Sequence, residues 1–357
     1  MPIHILDDAV ASQIAAGEVI ERPASVVKEL VENALDAGAR QVEIRILEAG
    51  RRLIEVTDDG CGISSAELAL AVARHATSKL QSAADLFQIT TLGFRGEALA
   101  SIASVSRLTL TSRTTDSAVG GRIRVEGGKV APLEAAGGPP GTLVRVEDLF
   151  YNVPARLKFL KRDLTERQQI DGLVTRYALA YPHVRFHLYH DGRPTLQTSG
   201  KGDRREVLAN LYGVDVARQM LEVDYQDGRL SVTGFISPVA LTRSNRRELT
   251  FFVNGRWVQD ASLSAALLQA YHTLLMVGRF PIAALFITLP PDAVDVNVHP
   301  AKAEVRFRDQ DGVFSGVSRA ARRASRAKTQ LRTFFTSSTP SQKPSAPPPA
   351  FWSRRTT

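Results

Sequence analysis

The sequence predicts an α/β protein of two domains, and three observations support this prediction. The chain has 357 residues, whereas a single domain usually holds about 100–200. Helix-like and strand-like segments alternate in the first part of the chain, and a second such set follows a polar, glycine-containing stretch at 197–204. We therefore expect domains over residues 1–200 and 201–333, followed over 334–357 by a disordered Ser-, Thr- and Pro-rich basic tail.

The elements of the first domain can be predicted in order along the chain. Pro23 suits the first turn of a helix, and Gly38 is typical of a helix C-terminus. The apolar stripe between them repeats at helical spacing and consists of Val26, Val27, Leu30, Val31, Ala34 and Leu35. Alternating apolar residues around a turn at 48–50 predict a β-hairpin. The remaining elements are a partly helical insert over Gly60–Gly96, strands over Arg107–Ser112, Gly121–Glu126 and Thr142–Val146, and a helix near Glu166–Ala180.

The second domain has the same mixture of periodicities, which indicates another α/β unit. Its predicted helices lie near Arg205–Tyr212 and Ala261–Leu274. Its predicted strands lie near Leu230–Ile236, Leu249–Val253 and Ile282–Leu289. A last helix, over Val313–Leu331, would carry a strongly cationic face.

The composition excludes several classes of protein. Hydrophobic residues make up 44% of the chain and charged residues 23%, which is ordinary for a soluble globular protein. Cys61 is the only cysteine, so an internal disulfide is excluded and a reducing, cytoplasmic location is expected. No apolar run approaches the ~18 residues of a membrane span. The acidic start of the chain is unlike a signal peptide, and no membrane partner is expected.

The positive charge is concentrated at one end of the chain. The net charge is +8, yet no acidic residue follows Asp311, and the preceding part is nearly neutral. The basic residues after that point are Arg319, Arg322, Arg323, Arg326, Lys328, Arg332, Lys343, Arg354 and Arg355. The composition therefore predicts nucleic-acid contact by a basic tail rather than by a folded surface.

Three polar residues of the first helix, Glu29, Asn33 and Asp36, are spaced to share one face, largely opposite the apolar stripe. Such a face is commonly the solvated side of an amphipathic helix. It could instead line a cleft, where a carboxylate would act as a general base and an amide oxygen would hold Mg²⁺. The helix alone leaves both interpretations open.

An aspartate–glycine turn, Asp58-Asp59-Gly60-Cys61-Gly62, directly follows the second strand. Glycines at these positions permit positive φ and let a ligand approach the backbone closely. A carboxylate at the end of the strand could accept a hydrogen bond from an exocyclic amine. The pattern also fits an ordinary β-turn, and by itself it does not decide between the two.

A glycine-bracketed loop leads into a helix-like run and has the sequence Gly93-Phe94-Arg95-Gly96-Glu97. Backbone N–H groups at the N-terminus of a helix attract anions. The upstream residues that add donors suited to phosphates are Arg74, His75, Thr77, Ser78 and Lys79. The alternative is a surface loop with incidental charges. The chain has neither a Walker A loop nor the kinase motifs, so a nucleotide site would need another architecture.

Together with Gly141-Thr142, these motifs resemble the four nucleotide-binding motifs of the GHKL ATPases, which include type II topoisomerases, heat-shock chaperones, histidine kinases and MutL proteins. A more specific resemblance, over about residues 5–310, is to the MutL family of DNA mismatch-repair proteins. The six blocks that carry it are Ile14–Ala39, Ala73–Lys79, Thr91–Val105, Asp148–Lys161, Val253–Arg256 and Val294–Phe307.

The resemblance implies a GHKL-type ATPase domain, an α+β sandwich with a mixed β-sheet and helices on one face. A smaller α/β domain resembling the ribosomal-protein or transducer fold would follow. The ligands would be ATP and Mg²⁺, with Glu29 as general base, Asn33 on Mg²⁺ and Asp58 on the adenine amine. Lys302 of the second domain would be a second catalytic residue, at the γ-phosphate, and residues 74–97 would form a lid. The other implied nucleotide-binding residues are Gly60, Gly62, Thr77, Ser78, Lys79, Gly93, Phe94, Arg95, Gly96, Glu97 and Thr142.

The function that the resemblance implies is a slow, Mg²⁺-dependent ATPase switch of DNA mismatch repair. It would couple a MutS-type mismatch sensor to a downstream nuclease or helicase, and it would bind DNA in a cytoplasmic, nucleoid-associated location. ATP would drive homodimerisation of the first domain. The alternatives are a DNA-binding adaptor with incidental ATPase activity and a chaperone- or topoisomerase-like GHKL ATPase.

Two departures from the family pattern limit these expectations. MutL proteins usually continue through a linker into a C-terminal dimerisation domain, and the D-Q-H-A-x-x-E-R motif of the nuclease-bearing branch does not occur here. We therefore expect neither endonuclease activity nor constitutive dimerisation. Phosphotransfer through His75 is not expected either. His299 is interpreted as structural, and Arg256 is interpreted as either structural or a DNA contact.

Overall fold

The structure, a computed structural model, describes residues 7, 16–17, 19–79, 91–93, 96–295 and 305–337, with side chains as far as residue 326. Several predictions from the sequence fall outside this part of the chain. They concern Phe94, Arg95, His299, Lys302, residues 80–90 of the predicted lid, and residues 338–357 of the predicted tail with Lys343, Arg354 and Arg355. None of the described helices is both long and apolar enough to span a membrane.

Groups of strands and groups of helices follow one another along the described chain. The helices are α1 (Pro23–Asp36), α2 (Leu68–Ala71), α3 (Ala98–Ser104), α4 (Pro154–Phe159), α5 (Asp163–Ala180), α6 (Arg204–Tyr212), α7 (Val214–Gln219), α8 (Ala261–Ala270) and α9 (Gln310–Ser337). The strands up to residue 200 are β1 (Gln41–Leu47), β2 (Leu53–Asp58), β3 (Arg107–Arg113), β4 (Gly120–Glu126), β5 (Lys129–Val130), β6 (Glu134–Ala136), β7 (Gly141–Glu147), β8 (Arg185–His190) and β9 (Arg193–Gln197). The later strands are β10 (Leu221–Asp227), β11 (Leu230–Ile236), β12 (Thr242–Arg243), β13 (Leu249–Val253), β14 (Arg256–Val258), β15 (Phe280–Pro281), β16 (Ala283–Thr288), β17 (Val294–Asp295) and β18 (Arg306–Phe307).

The first sheet is mixed, as predicted. Its strand order is β5-β4-β3-β7-β2-β1-β8-β9, with β6 beside β4. β1 pairs with β2 as the predicted hairpin, with Ile44 opposite Val56, and runs parallel to β8 on its other side. The buried side chains of β1 and β2 form one apolar core with those of α1, α3 and α5. On the opposite face Arg145 pairs with Glu55 at 3.1 Å, so the helices cover one face only.

The second sheet has the order β10-β11-β16-β13-β14 and contains the predicted strands at 230–236, 249–253 and 283–288. Helices α8 and α9 pack on it, and their Leu267 and Val317 share a core with Val232 and Leu285 of the strands. Strands β8, β9 and β10 had not been predicted. Pro194 weakens the strand signal of β9, which is tolerated because this strand lies at the edge of its sheet.

The apolar core of the first sheet continues past the predicted boundary at residue 200. Val207 of α6, Phe252 of β13 and Phe286 of β16 belong to the same cluster as Ile170 of α5. The rings of Phe252 and Phe286 stack with centroids 4.8 Å apart. The two sheets are therefore joined by shared packing. The division into two domains at residue 200 stays a prediction.

Helix α9 confirms the predicted helix over Val313–Leu331 and corrects the assignment of its basic residues to a tail. Its Val317, Ala320 and Ala321 are fully or almost fully buried against the second sheet. Arg319 forms an ion pair with Asp227 of β10 at 2.9 Å. The basic residues as far as Arg326 thus lie on a folded surface, and the helix continues to Ser337, into the segment predicted to be disordered.

The burial of β1 generates a prediction about stability. Ile44 is completely buried between β2 and β8, so Ile44→Ala should lower the free energy of unfolding by about 2–5 kcal/mol. Val130→Ala is the control, because Val130 is 54% exposed, and it should change stability by less than about 0.5 kcal/mol. Urea denaturation followed by circular dichroism measures both values, and equal effects would contradict the position of β1.

Candidate functional site

The site is built on α1. Its apolar stripe packs on the first sheet, and the helix ends where Gly38 adopts φ +73°, which lets the N–H of Ala39 donate to the carbonyl of Ala34 at 3.1 Å. With the stripe fixed on the sheet, the opposite face of the helix points into a cavity of about 1000 Å³. Glu29, Asn33 and Asp36 all line this cavity. The structure thus favours the cleft over the solvated face.

The aspartate–glycine turn forms another wall of the same cavity. Asp58 and Gly62 line it, whereas Gly60 lies behind them and donates its N–H to Asp58 Oδ1 at 2.9 Å. Gly62 has φ +73°, and a Cβ there would come within 2.2 Å of the carbonyl oxygen of Arg113. Only glycine fits that position, so the second glycine of the motif is required by the close approach to β3.

Asp58 has an unusual electrostatic environment. Burial raises the pKa of its carboxyl to about 6, and the charge of Asp59 adds to the rise, while the backbone N–H groups of Gly60 and Thr142 oppose it. Thr142 also lines the cavity, and its hydroxyl lies 2.9 Å from that of Ser112. Ser112 accepts a hydrogen bond from the N–H of Ile63 at 2.8 Å, so it joins the turn to β3. No local pattern in the sequence pointed to Ser112, because its partners come from distant segments.

On another part of the cavity wall a lysine meets the polar face of α1. The Nζ of Lys79 lies 3.0 Å from Asn33 Oδ1 and 2.5 Å from Asp36 Oδ2. Asp36 also accepts hydrogen bonds from the N–H groups of Leu92 at 2.8 Å and of Gly93 at 2.9 Å. Asp36 was predicted to lie on this face but had no assigned role, and the structure places it at the centre of these contacts.

Most of the other predicted residues also lie around the cavity. Those that line it are Thr77, Ser78, Gly93, Gly96 and Glu97. Glu97 Oε1 lies 3.2 Å from Nδ1 of the exposed His75 ring. Thr77 Oγ1 accepts a hydrogen bond from the N–H of Lys79 at 3.1 Å. Phe94, Arg95 and Lys302 lie outside the described residues, so their predicted positions stay predictions.

Glu29 is held by its neighbour on the helix. The Nζ of Lys28 lies 2.9 Å from Glu29 Oε1 and 3.2 Å from Glu32 Oε1. Burial opposes the charge on Lys28, but the two carboxylates outweigh it and raise the pKa of this lysine above its ordinary value. Glu32 also accepts a hydrogen bond from the hydroxyl of Tyr177 at 2.7 Å. These contacts orient the side chain of Glu29 at the edge of the cavity, and the sequence had not indicated them.

Two families match the chain. Residues 20–126 match the family described as histidine kinase-, DNA gyrase B- and HSP90-like ATPase, and residues 208–326 match the DNA mismatch repair protein, C-terminal domain. The DNA mismatch repair protein MutL of Streptococcus equi subsp. equi is 48% identical over 315 residues, which cover 88% of this chain and 48% of that protein. The Aquifex aeolicus MutL ATPase domain complexed with ADP is 34% identical and has a TM-score of 0.57, covering 76% of this chain and 94% of that one.

The chain belongs to the MutL family of DNA mismatch repair proteins. A further similar solved structure is the N-terminal domain of a DNA repair protein, which has a TM-score of 0.77 and 25% identity and covers 90% of this chain. These matches confirm the predicted GHKL-type, mixed α/β fold, while the ribosomal-protein or transducer likeness of the second domain stays a prediction. The chain spans about half the length of the curated MutL relatives that it matches.

The raised pKa of Asp58 generates a prediction about pH. The carboxyl holds its proton more tightly in the folded chain, with a pKa of about 6 against an ordinary 3.8, so its contribution to the free energy of unfolding falls as the pH rises between these values. Relative to Asp58→Ala, the unsubstituted protein should lose on the order of 2 kcal/mol of stability between about pH 4 and pH 7. Urea denaturation across this range measures the difference, and a difference that does not vary with pH would contradict the burial of the carboxylate.

Proposed function

We propose that this chain binds ATP with Mg²⁺ in the cavity and hydrolyses it slowly, as a switch in DNA mismatch repair. The observation that carries this proposal is the arrangement of the cavity walls. A carboxylate and an amide one helical turn apart lie on α1, and the aspartate–glycine turn lies across from them. The MutL ATPase domain solved with ADP supports the nucleotide assignment.

The end of the cavity around Asp58 suits an adenine ring. Ionised Asp58 can accept a hydrogen bond from the exocyclic amine, and its partial burial strengthens such a bond. Gly62 offers backbone without a side chain, Gly60 holds the carboxylate, and Thr142 offers a hydroxyl beside it. We assign adenine recognition to these four residues.

The opposite end suits the phosphates and a cation. The side-chain oxygen of Asn33 already accepts an ammonium group, that of Lys79, so this oxygen is oriented as a cation ligand. Asn33 would therefore hold Mg²⁺, which when bound supplies positive charge to the phosphate oxygens. The phosphates would accept hydrogen bonds from Lys79, Thr77 and Ser78. They would also accept hydrogen bonds from the loop from Gly93 to Glu97, which includes Phe94 and Arg95.

Glu29 would act as the general base. Water attacks the γ-phosphorus, the bond from that phosphorus to the bridging oxygen breaks, and ADP leaves while the carboxylate of Glu29 takes the proton of the water. Lys28 holds Glu29 Oε1 and so fixes its direction. Lys302 of the second domain would contact the γ-phosphate, which would couple the domain arrangement to the nucleotide state.

Membership of the MutL family supports a wider role for the switch. We propose that the ATP-bound form pairs with a second copy through the first domain. This form would pass the signal from a MutS-type mismatch sensor to a downstream nuclease or helicase. Such a role fits a cytoplasmic protein that works at the nucleoid.

Binding of DNA is the second candidate function, and α9 favours it. Arg319, Arg322, Arg323 and Arg326 recur at helical spacing on one side of α9, and all four are exposed. A row of guanidinium groups on a rigid helix can follow the phosphates of a duplex. Binding through α9 would serve the switch described above, or an adaptor in which ATP hydrolysis is incidental.

Two substitutions test the nucleotide site. Glu29→Ala should leave ADP affinity within about 3-fold and lower ATP turnover by at least ~100-fold, because only the general base is lost. Asp58→Ala should weaken nucleotide binding by ~10-fold or more, because a charged hydrogen-bond acceptor is lost. A coupled ATPase assay and isothermal titration with ADP measure these effects.

Glu134→Ala is the matched control for both variants. Glu134 is an exposed residue of β6 that pairs with Arg124, far from the cavity walls. It should bind and hydrolyse nucleotide like the unsubstituted protein. If all three variants turned over ATP at the parent rate, the assignment of the site would be wrong.

Charge neutralisation tests the DNA surface without removing the buried part of α9. The double substitution Arg323→Gln and Arg326→Gln should weaken duplex binding and make the salt dependence of affinity shallower, by about 0.9 for each phosphate that the helix no longer neutralises. Arg193→Gln with Arg247→Gln removes the same charge from exposed positions outside α9 and should have little effect. Fluorescence anisotropy at several salt concentrations makes the comparison, and equal effects of the two pairs would contradict a role for α9.

A further inference from the structure

Arg256, at the start of β14 in the second sheet, is a buried arginine that reaches into the first domain. It is 7% exposed. Its guanidinium Nη2 donates a hydrogen bond to the carbonyl oxygen of Thr91, which is distant in sequence. This burial argues against the DNA contact that the sequence had left open.

The acceptor belongs to a short turn at the phosphate end of the cavity. Thr91 Oγ1 donates to the carbonyl of Gly93 at 2.7 Å, which closes the turn over 91–93. The N–H groups of Leu92 and Gly93 then donate to the two carboxylate oxygens of Asp36. Asp36 in turn holds Lys79 at 2.5 Å. A continuous chain of hydrogen bonds therefore runs from the second sheet to the polar face of α1.

The segment that carries Arg256 is itself firmly held against the first domain. Arg176 of α5 stacks on the ring of Trp257 with its guanidinium carbon 4.0 Å from the centroid. The hydroxyl of Tyr181 lies 3.4 Å from the carbonyl of Gly255. Because the residues on both sides of Arg256 are held against α5, the packing of β14 on the first domain sets the position of its guanidinium and, with it, that of the turn.

The charge of Arg256 is costly where it lies, which argues for a specific role. Burial lowers the pKa of its guanidinium, and the nearby carboxylates Glu32 and Asp36 act against that fall. The direct hydrogen bond goes to a neutral carbonyl of the turn. A residue that only filled space at this interface could be apolar, as its neighbours Phe252 and Leu92 are.

We propose that Arg256 is a positioning residue through which the second domain sets the turn 91–93 and, through it, Asp36 and Lys79 at the phosphate end of the site. This proposal rests on the proposed ATPase function and is separate from the role proposed for Lys302. When the guanidinium is removed, the turn loosens and the donors to the phosphates move, while the adenine end around Asp58 keeps its geometry. ATP turnover therefore depends on Arg256 more than adenine binding does.

The test compares Arg256→Met, which keeps an unbranched apolar side chain without the guanidinium, with Arg256→Lys, which keeps the charge without the planar fork. Hydrogen exchange without nucleotide is the first measurement. In Arg256→Met the amides of Leu92 and Gly93 should exchange ~10-fold faster, and those of β2 should not change. Arg256→Lys should restore part of this protection. Arg229→Met is the matched control, because Arg229 is exposed on the far side of the second sheet.

Kinetics are the second measurement. Arg256→Met should lower the kcat for ATP by ~10-fold and leave ADP affinity within about 3-fold. If Arg256 acts through the turn, its effect on kcat should be much smaller when Asp36→Asn is already present, because the two substitutions break the same chain of hydrogen bonds.

The outcomes separate this proposal from the function on which it rests. Unchanged exchange at Leu92 and Gly93 would overturn the proposal. The proposal would also be overturned if hydrogen exchange became faster in all strands alike and Arg256→Lys protected the amides no better than Arg256→Met. Arg256 would then be only structural. Faster exchange confined to the turn, in a chain that failed to hydrolyse ATP, would support the coupling and contradict the proposed function instead.

Discussion

Helix α1 carries two sets of side chains on opposite faces, and the packing of one set determines where the other lies. Val27, Leu30 and Val31 are buried against the first sheet, and burial of such side chains is the dominant favourable term in folding. Rotating the helix to release Glu29 or Asn33 from the cavity would expose that stripe to water. The position of the polar face is thus fixed by hydrophobic packing on the side away from the chemistry.

The rest of the cavity is arranged around this fixed face by electrostatics. At one end a carboxylate, Asp58, lies half-buried before a turn of glycines, where it can accept a hydrogen bond from a neutral donor. At the other end Asp36 is paired with Lys79 and with two backbone N–H groups, an arrangement suited to anions and cations. The two groups of residues therefore offer different partners, one a single carboxylate and the other a paired lysine with oriented backbone N–H groups. Arg256 adds a link between the charged end and the second sheet.

Local signals in the sequence predicted the parts of the protein whose structure depends on neighbouring residues. These include α1 with its stripe and caps, the β1–β2 hairpin, the turn after Asp58 and most strands of the second sheet. The roles of Asp36, Ser112 and Arg256 could not be predicted in this way, because their partners lie in other segments of the chain. The helix over 313–331 was predicted, but its basic residues were assigned to a tail because charge alone does not show that Val317 and Ala321 pack beneath them. Phe94, Arg95 and Lys302 were identified by resemblance and stay predictions.

The central claim is that the polar face of α1 looks across the cavity at a bound adenine nucleotide. The most direct measurement is a crystal structure of this chain with Mg²⁺ and a non-hydrolysable ATP analogue. The account predicts the adenine amine within hydrogen-bond distance of the carboxylate of Asp58, and the triphosphate between Asn33 and the turn at 91–93 with Glu29 facing its last phosphate. An analogue bound elsewhere, or Glu29 and Asn33 turned away from its phosphates, would contradict the account.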